Sequence, residues 1–271
     1  MENVKVVIWG FGAMGRGMAD MLLTKKGVEI TGVCDLHPNL LGKSIFNALE
    51  GKQNNHPEVI VSDDIDSLLN KDNCDVVLLA TDSYTKKAFP KMVKIMEKGI
   101  NVISTAEEMA YPQAQEPELA KELHKIAKEN GVTVLGTGIN PGFIMDLLVV
   151  ALTGVMTDVT HIEANRVNSL SPFGPAVMEE QGVGITLEEF NHGLETDTLA
   201  GHVGFAESVL MIADAIGVKL DAFQQQMAPI VTTIDRKRPY GFAKAGNVAG
   251  VNMTGQGIIN NEVSIDMKHP Q

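Results

Sequence analysis

Val4-Lys5-Val6-Val7-Ile8-Trp9-Gly10-Phe11-Gly12-Ala13-Met14-Gly15 carries a β-branched, apolar run straight into Gly-x-Gly-x-x-Gly and then into a helical pattern. The glycine spacing alone is weak, because a chain with 26 glycines in 271 residues produces such spacings by chance. Between a strand and a helix it acquires a physical meaning. Gly10 makes the tight turn, Gly12 lets backbone approach a pyrophosphate, and Gly15 lets the helix pack on the strand, with the helix N-terminus facing the anion. Gly10, Phe11, Gly12, Ala13, Met14 and Gly15 are therefore the expected dinucleotide cradle.

The next strand-like run, Glu29 to Cys34, ends at Asp35, 20 residues beyond Gly15, where a carboxylate accepts both ribose hydroxyls. An acid there repels a 2′-phosphate, so NAD is expected over NADP, with NADP not excluded; the nearby basic residues, His37 and Lys43, include no arginine. A turn role for Asp35 before Pro38 stays open. Further contacts are expected from the carboxyl ends of later strands, where open α/β sheets bind ligands. These are Thr81 and Ser83, Thr105, and Asn140 in the Gly138-Ile139-Asn140-Pro141-Gly142 turn; helix capping is the competing role for Thr81 and Ser83.

Outward from this stretch, Val59 to Val61, Val76 to Ala80, Asn101 to Ser104 and Thr133 to Gly136 also read as strands, several apolar throughout, as parallel strands covered on both faces are. Helical stripes fall between them at Met14, Met18, Met21 and Leu22, and at Leu119, Leu123, Ile126 and Ala127, with Gly27, Gly99 and Gly131 as stops. The pattern predicts an α/β fold, a Rossmann doubly wound parallel sheet, over 1–140. From 141 to 271 it changes: a helix from Phe143 to Thr153, a strand from Val159 to Val167 and a helix with Phe205, Val209, Ile212, Ala213 and Ile216 on one face, ending at Gly217. Strands then follow without helices, at Phe223–Ile234, Val248–Thr254 and Gly257–Asp266. This predicts a second α+β domain on an open, largely antiparallel sheet that serves substrate binding and dimerisation.

Composition narrows the chemistry. Apolar residues are 44% and charged ones 21%, which excludes a disordered chain, and 22 basic against 34 acidic residues give −12. So acidic a chain is a poor partner for nucleic acid or an anionic membrane, which leaves small-molecule chemistry. Cys34 and Cys74 form no CxxC, so neither a disulfide framework nor a metal site is expected. The opening Met1-Glu2-Asn3 has no leader pattern and no apolar run nears the roughly 18 residues of a membrane span, so a cytoplasmic protein is expected.

The catalytic candidates lie after the fifth strand, in Ser104-Thr105-Ala106-Glu107-Glu108-Met109-Ala110-Tyr111-Pro112. Adjacent carboxylates there divide between a helix cap and a general base. This stretch, the VVIWGFGAMGRGMADML run and the Gly-Ile-Asn-Pro-Gly-Phe turn together resemble the amine dehydrogenase family that includes 2,4-diaminopentanoate dehydrogenase of ornithine fermentation, over essentially all 271 residues. The resemblance implies NAD(P)-dependent, reversible oxidative deamination of the C4 amine of 2,4-diaminopentanoate to 2-amino-4-oxopentanoate and ammonia. It implies a catalytic acid in the glutamate pair, carried onto Glu108 with Glu107 second. The substrate's carboxylate then needs a cation, and Arg166 is the candidate, with a solvated strand-end arginine as its alternative.

His161, His192 and His202 show no nucleophile or metal spacing and are expected to be structural. A reductase of the dihydrodipicolinate type shares the Rossmann half, but its paired-histidine and lysine signature is missing; a non-catalytic NAD-binding redox sensor is the remaining alternative. Family members continue past the equivalent of Gln271 with further strands, so the second domain is expected to be shortened at that end. A small-molecule amine substrate and a homodimer complete the expectations.

Overall fold

The computed structural model describes residues 3–49, 56–172 and 174–271. Met1 and Glu2, where the leader reading begins, lie outside the described residues. The chain forms two compact units, Met1–Gly142 and Phe143–Gln271.

In the first unit the elements run β1 (Val4–Trp9), α1 (Ala13–Leu22), β2 (Val28–Cys34), α2 (Ile45–Ala48), β3 (Val61–Ser62), α3 (Ile65–Leu68), β4 (Val76–Leu79), α4 (Thr85–Glu97), β5 (Asn101–Ser104), α5 (Pro117–Asn130) and β6 (Val134–Gly136), with a 3₁₀ turn at Glu107–Ala110. The sheet order is β3-β2-β1-β4-β5-β6 and every pairing is parallel. The apolar runs explain it. Val6 and Ile8 of β1 enter a core with Ala19, Ile30 and Val33, while Val7 enters a second core with Val77, Met92, Ile95 and Leu123. A strand buried on both faces must be apolar at consecutive positions, which is the pattern read from the sequence. The order reverses between β1 and β4, the place where such sheets hold ligands at their carboxyl ends.

The buried face of α1 differs from the expected stripe. Met14 and Met21 are 62% and 46% exposed, and α1 instead buries Gly15 and Ala19, with Met18 and Leu22 packed alongside. The glycine decides the rotation: it must face β1, and the methionines turn outward in consequence. The expected α5 face holds, with Leu123 and Ala127 buried and Ile126 against the same core.

The second unit runs α6 (Leu147–Thr153), β7 (Ile162–Asn165), α7 (Pro175–Glu180), α8 (Leu187–Glu195), α9 (Phe205–Ala215), β8 (Ala222–Val231), β9 (Arg236–Arg238), β10 (Gly241–Ala243), β11 (Val248–Ile259) and β12 (Glu262–Pro270). Its main sheet, β7-β12-β11-β8, is antiparallel except that β7 joins β12 in parallel. Phe205, Val209, Ile212 and Ala213 of α9 pack with Val251, Met253, Ile265 and Met267 of the sheet. Three boundaries are corrected. The expected Gly257–Asp266 strand crosses a hairpin: β11 continues to Ile259 and turns through Asn260 and Asn261 at φ 53° and 64°. Two asparagines at positive φ suit a two-residue hairpin loop, and the glycines inside β11 had masked its continuity. The expected helix from Phe143 begins only at Leu147, where the Asp146 carboxylate accepts the amide at 2.6 Å. The expected Val159–Val167 strand is ordered as a ladder only over Ile162–Asn165.

Candidate active site

The glycine turn is built as its spacing requires. Gly10 has φ +97°, and a Cβ there would stand 2.5 Å from the Ala80 carbonyl oxygen and 3.0 Å from Thr81 Cγ2. A Cβ on Gly15 would overlap the Gly10 carbonyl oxygen, so only glycine lets α1 approach β1. At Gly12, by contrast, a Cβ would meet nothing within 4 Å: the space in front of this residue is open. Gly12 caps α1 without a side-chain hydrogen bond, and Ala13 and Met14 in the exposed first turn leave the helix N-terminus facing that space. An uncapped ten-residue helix end with open backbone before it fits a pyrophosphate. Phe11 differs from its neighbours, since its side chain lies fully buried in the core.

Asp35, half-buried at the end of β2, accepts the Phe11 amide on Oδ2 at 2.6 Å and the His37 amide on Oδ1 at 2.7 Å. The turn role and the site role are thus combined: the carboxylate ties the glycine turn to the strand next door, and its remaining lone pairs stay available to a ribose.

At the end of β4, Thr81 and Ser83 are half-buried. The Thr81 hydroxyl donates to Asp82 Oδ2 at 2.6 Å and accepts from Lys91 Nζ at 2.8 Å. Lys91 also pairs with Asp82 Oδ2 at 2.7 Å. Burial alone would raise the Asp82 pKa, but hydrogen bonds from Lys91 and Thr81 hold it below its ordinary value. The Ser83 carbonyl accepts the Glu108 amide at 3.2 Å. Thr105 turns its hydroxyl to the Leu79 carbonyl, 3.4 Å away. Asn140 sits half-buried in the Gly138–Gly142 turn, before a cis bond to Pro141.

The two glutamates occupy the 3₁₀ turn after β5, and they differ. Glu108 is buried, 7% exposed, and Glu107 is half-buried. Glu108 Oε2 accepts the Thr85 amide at 2.6 Å at the start of α4, 23 residues earlier, rather than capping the helix that follows. Gln115 Nε2 lies 3.5 Å from the other oxygen, Oε1. A carboxylate with one oxygen anchored and the second less committed can take up and release a proton without losing its position.

In the second unit Arg166 follows β7 and is half-buried. Its carbonyl oxygen accepts from His269 Nδ1 at 3.0 Å, and its Nη1 lies 3.0 Å from His269 Nε2. A carbonyl only accepts, so Nδ1 carries the ring proton and Nε2 takes the guanidinium hydrogen bond. His269 is fully buried, and burial, then the Arg166 charge, push its pKa down against the raising effect of the Arg166 carbonyl bond. Burial also lowers the pKa of Arg166. Among the described residues no carboxylate pairs with this guanidinium.

The three histidines expected to be structural, His161, His192 and His202, differ in setting. His161 is exposed and reaches the Val263 carbonyl at 3.2 Å, and His192 is exposed on α8. His202 packs its ring 5.0 Å from His269 and 5.9 Å from Phe205, edge to face. Burial first, then His269 and Arg166, push His202 down to about 3. Between pH 6.5 and about 3 the unfolded chain therefore binds a proton that the folded ring refuses, so this contribution to stability is complete above 6.5 and falls as the pH drops. The loss amounts to about 3 kcal/mol by pH 4. Urea midpoints measured from pH 6.5 to 4 should fall less steeply for His202→Gln than for the parent; equal slopes refute the assignment.

Sequence reasoning missed Lys91, Asp82, Thr85 and His269, none of which belongs to a local motif. Among the described residues no group of three His, Cys, Asp or Glu is placed to hold a metal, and no helix is long and apolar enough to cross a membrane.

Residues 143–271 match the 2,4-diaminopentanoate dehydrogenase C-terminal domain, and residues 4–137 match the NAD-binding Rossmann fold of an oxidoreductase family. The chain is 62% identical over 272 residues to the 2,4-diaminopentanoate dehydrogenase of Acetoanaerobium sticklandii, spanning 100% of this chain and 76% of that protein. It is 22% identical over 270 residues to an amine dehydrogenase of Streptomyces virginiae, spanning 98% and 74%. The structure of an amine dehydrogenase from Mycobacterium smegmatis shares the fold, with a TM-score of 0.83 at 24% identity over 99% of this chain and 79% of that one.

Proposed function

The chain belongs to the 2,4-diaminopentanoate dehydrogenase family, as an oxidoreductase using NAD, and from that premise we propose that it oxidises the C4 amine of 2,4-diaminopentanoate. The products are 2-amino-4-oxopentanoate and ammonia, and the reaction runs in both directions. The observation that carries this reading is the 62% identity along the whole chain to a diaminopentanoate dehydrogenase. It is supported by a buried carboxylate, Glu108, hydrogen-bonded to the turn that follows β4.

NAD, when bound, accepts hydride from the amine-bearing carbon. The open backbone at Gly12 and the first turn of α1 hold its pyrophosphate, and Asp35 holds its adenosine ribose. Thr81, Ser83, Thr105 and Asn140 are assigned to its nicotinamide half. Glu108 removes a proton from the substrate ammonium, because hydride leaves only a carbon bearing a free amine lone pair. Oε1 is the oxygen assigned to that step, since Oε2 is committed to Thr85. After passing that proton to solvent, the same carboxylate takes one from the water that adds to the iminium carbon, returns it to the carbinolamine nitrogen, and accepts the hydroxyl proton as ammonia departs and the carbonyl forms. Glu107, half-buried beside it, is the second choice. Arg166, presented by His269, takes the substrate's carboxylate in a charge-assisted, planar contact.

The partner we assign is a second copy of the chain, docked through the open sheet of the second unit. The two buried free thiols, Cys34 and Cys74, suit the reducing cytoplasm.

The test of the reaction is direct: incubation with 2,4-diaminopentanoate and NAD should release ammonia and NADH in equal amounts. NADH without ammonia would contradict deamination. Asp35→Ala tests the nucleotide assignment. It should weaken NAD about tenfold, as expected for loss of a charged hydrogen bond, and weaken NADP less, because the carboxylate repels the 2′-phosphate. Equal losses for the two coenzymes would remove Asp35 from the ribose.

A further inference from the structure

Lys91 lies on α4 and has no place in the fingerprint, yet its ammonium meets the ends of both strands that flank the reversal of sheet order. It donates to Thr81 Oγ1 at 2.8 Å and to Asp82 Oδ2 at 2.7 Å just after β4, and it stands 5.8 Å from the centroid of the Trp9 ring at the end of β1. Its side chain is 30% exposed and that of Asp82 14%, so the pair is poorly screened. The chemistry of these groups removes the freedom of the threonine. An ammonium only donates, so Thr81 Oγ1 accepts from Lys91 and must spend its own hydrogen on Asp82 Oδ2, 2.6 Å away. A surface hydroxyl would rotate among three wells; this one has a single orientation.

Thr81 in turn packs its Cγ2 against Gly10, at 3.0 Å from the position a Cβ would take there. Two residues on, the Ser83 carbonyl accepts the Glu108 amide, and the Thr85 amide donates to Glu108 Oε2. The turn from β4 to α4 is thus held from one side by Lys91 and Asp82 and from the other by Glu108.

We propose that Lys91 is a positioning residue for the coenzyme: anchored by Asp82 and Trp9, it fixes Thr81 and the β4–α4 turn against the glycine turn in the orientation that receives the nicotinamide half. It acts through Thr81 rather than by touching the coenzyme. The inference rests on the reading that this edge of the sheet binds NAD.

The experiment is NADH binding by fluorescence, with kcat and the KM for NAD, for Lys91→Met, Thr81→Val, the double variant and Lys91→Arg. Methionine keeps the stem over Trp9 and removes the charge. Lys91→Met should raise the NADH Kd and the KM for NAD about tenfold, as expected for loss of charged hydrogen bonds, with kcat at saturating NAD within about twofold of the parent. Thr81→Val should also raise the NADH Kd and the KM for NAD, and adding Lys91→Met to it should weaken binding no further, because the lysine acts through that hydroxyl. Lys91→Arg should recover part of the affinity. An unchanged Kd in Lys91→Met, or losses that add in the double variant, overturns the proposal. Should Lys91→Met fail to fold, Asp82→Asn carries the same test, since it keeps the shape of the anchor and removes its charge. Gly12→Val separates the two readings, because it fills the open space before the glycine turn. If Gly12→Val binds NADH as the parent does, the site reading fails; if it loses NADH while Lys91→Met does not, the Lys91 proposal alone fails.

Discussion

Glu108→Gln should abolish deamination of 2,4-diaminopentanoate while leaving NADH binding within about twofold of the parent. Positioned general bases contribute about a hundredfold to ten-thousandfold, and here one group serves two proton transfers, so a loss toward the upper figure is expected. Glutamine is the informative replacement. Its carbonyl oxygen still accepts the Thr85 amide, so α4 keeps the contact that Glu108 Oε2 makes at 2.6 Å, and the fold is spared. What disappears is the capacity to take a proton. Stopped-flow traces should show no burst of NADH. An active Glu108→Gln enzyme would move the base to Glu107, whose own glutamine variant is then the one to lose turnover.

Arg166→Met should lower kcat/KM for 2,4-diaminopentanoate about a hundredfold to a thousandfold. Truncating one member of a buried, hydrogen-bonded charge pair costs about 2 to 5 kcal/mol, and about 1.4 kcal/mol corresponds to tenfold. The guanidinium is half-buried, held by a neutral, fully buried His269 and without a carboxylate partner among the described residues, so an incoming carboxylate offsets part of its desolvation. The comparison that isolates this effect uses an amine of the same length that lacks the carboxylate. The parent should handle it poorly, and Arg166→Met should handle it no worse than the parent does. Equal losses on both amines would show a folding defect instead, and no loss on either would return Arg166 to the role of a solvated strand-end residue.

The first unit was legible because its physics is local. Parallel strands buried on both faces must be apolar at consecutive positions, so Val6, Val7 and Ile8 announce a central strand, and glycine spacing announces the turn that follows. The second unit was less so. β9 is Arg236-Lys237-Arg238, exposed at all three positions, and carries no apolar alternation to read. α8 did carry a signal, the capping box from Thr186 to Glu189, in which each side chain takes up the other's amide.

The site divides in the same way. Asp35 is visible from its spacing, but its bond to the Phe11 amide depends on the adjacency of β1 and β2. Glu107 and Glu108 are indistinguishable in a string of letters, and the geometry of a 3₁₀ turn buries one more than the other. His269 meets Arg166 across 103 residues because β12 pairs with β7 in parallel, bringing Lys268 opposite Asn165. Lys91 reaches Asp82 from the second turn of a helix, at a spacing that marks no motif. Contacts of this kind belong to the fold, and a single sequence holds no local trace of them.

The most direct measurement of the central claim is the fate of the hydrogen on C4. With 2,4-diaminopentanoate deuterated at C4 and unlabelled NAD, the reduced coenzyme should carry one deuterium for each ammonia released, and the same substrate deuterated at C2 should give unlabelled NADH. Deuterium transferred from C2, or retained in the product while NADH forms, would contradict oxidation of the C4 amine.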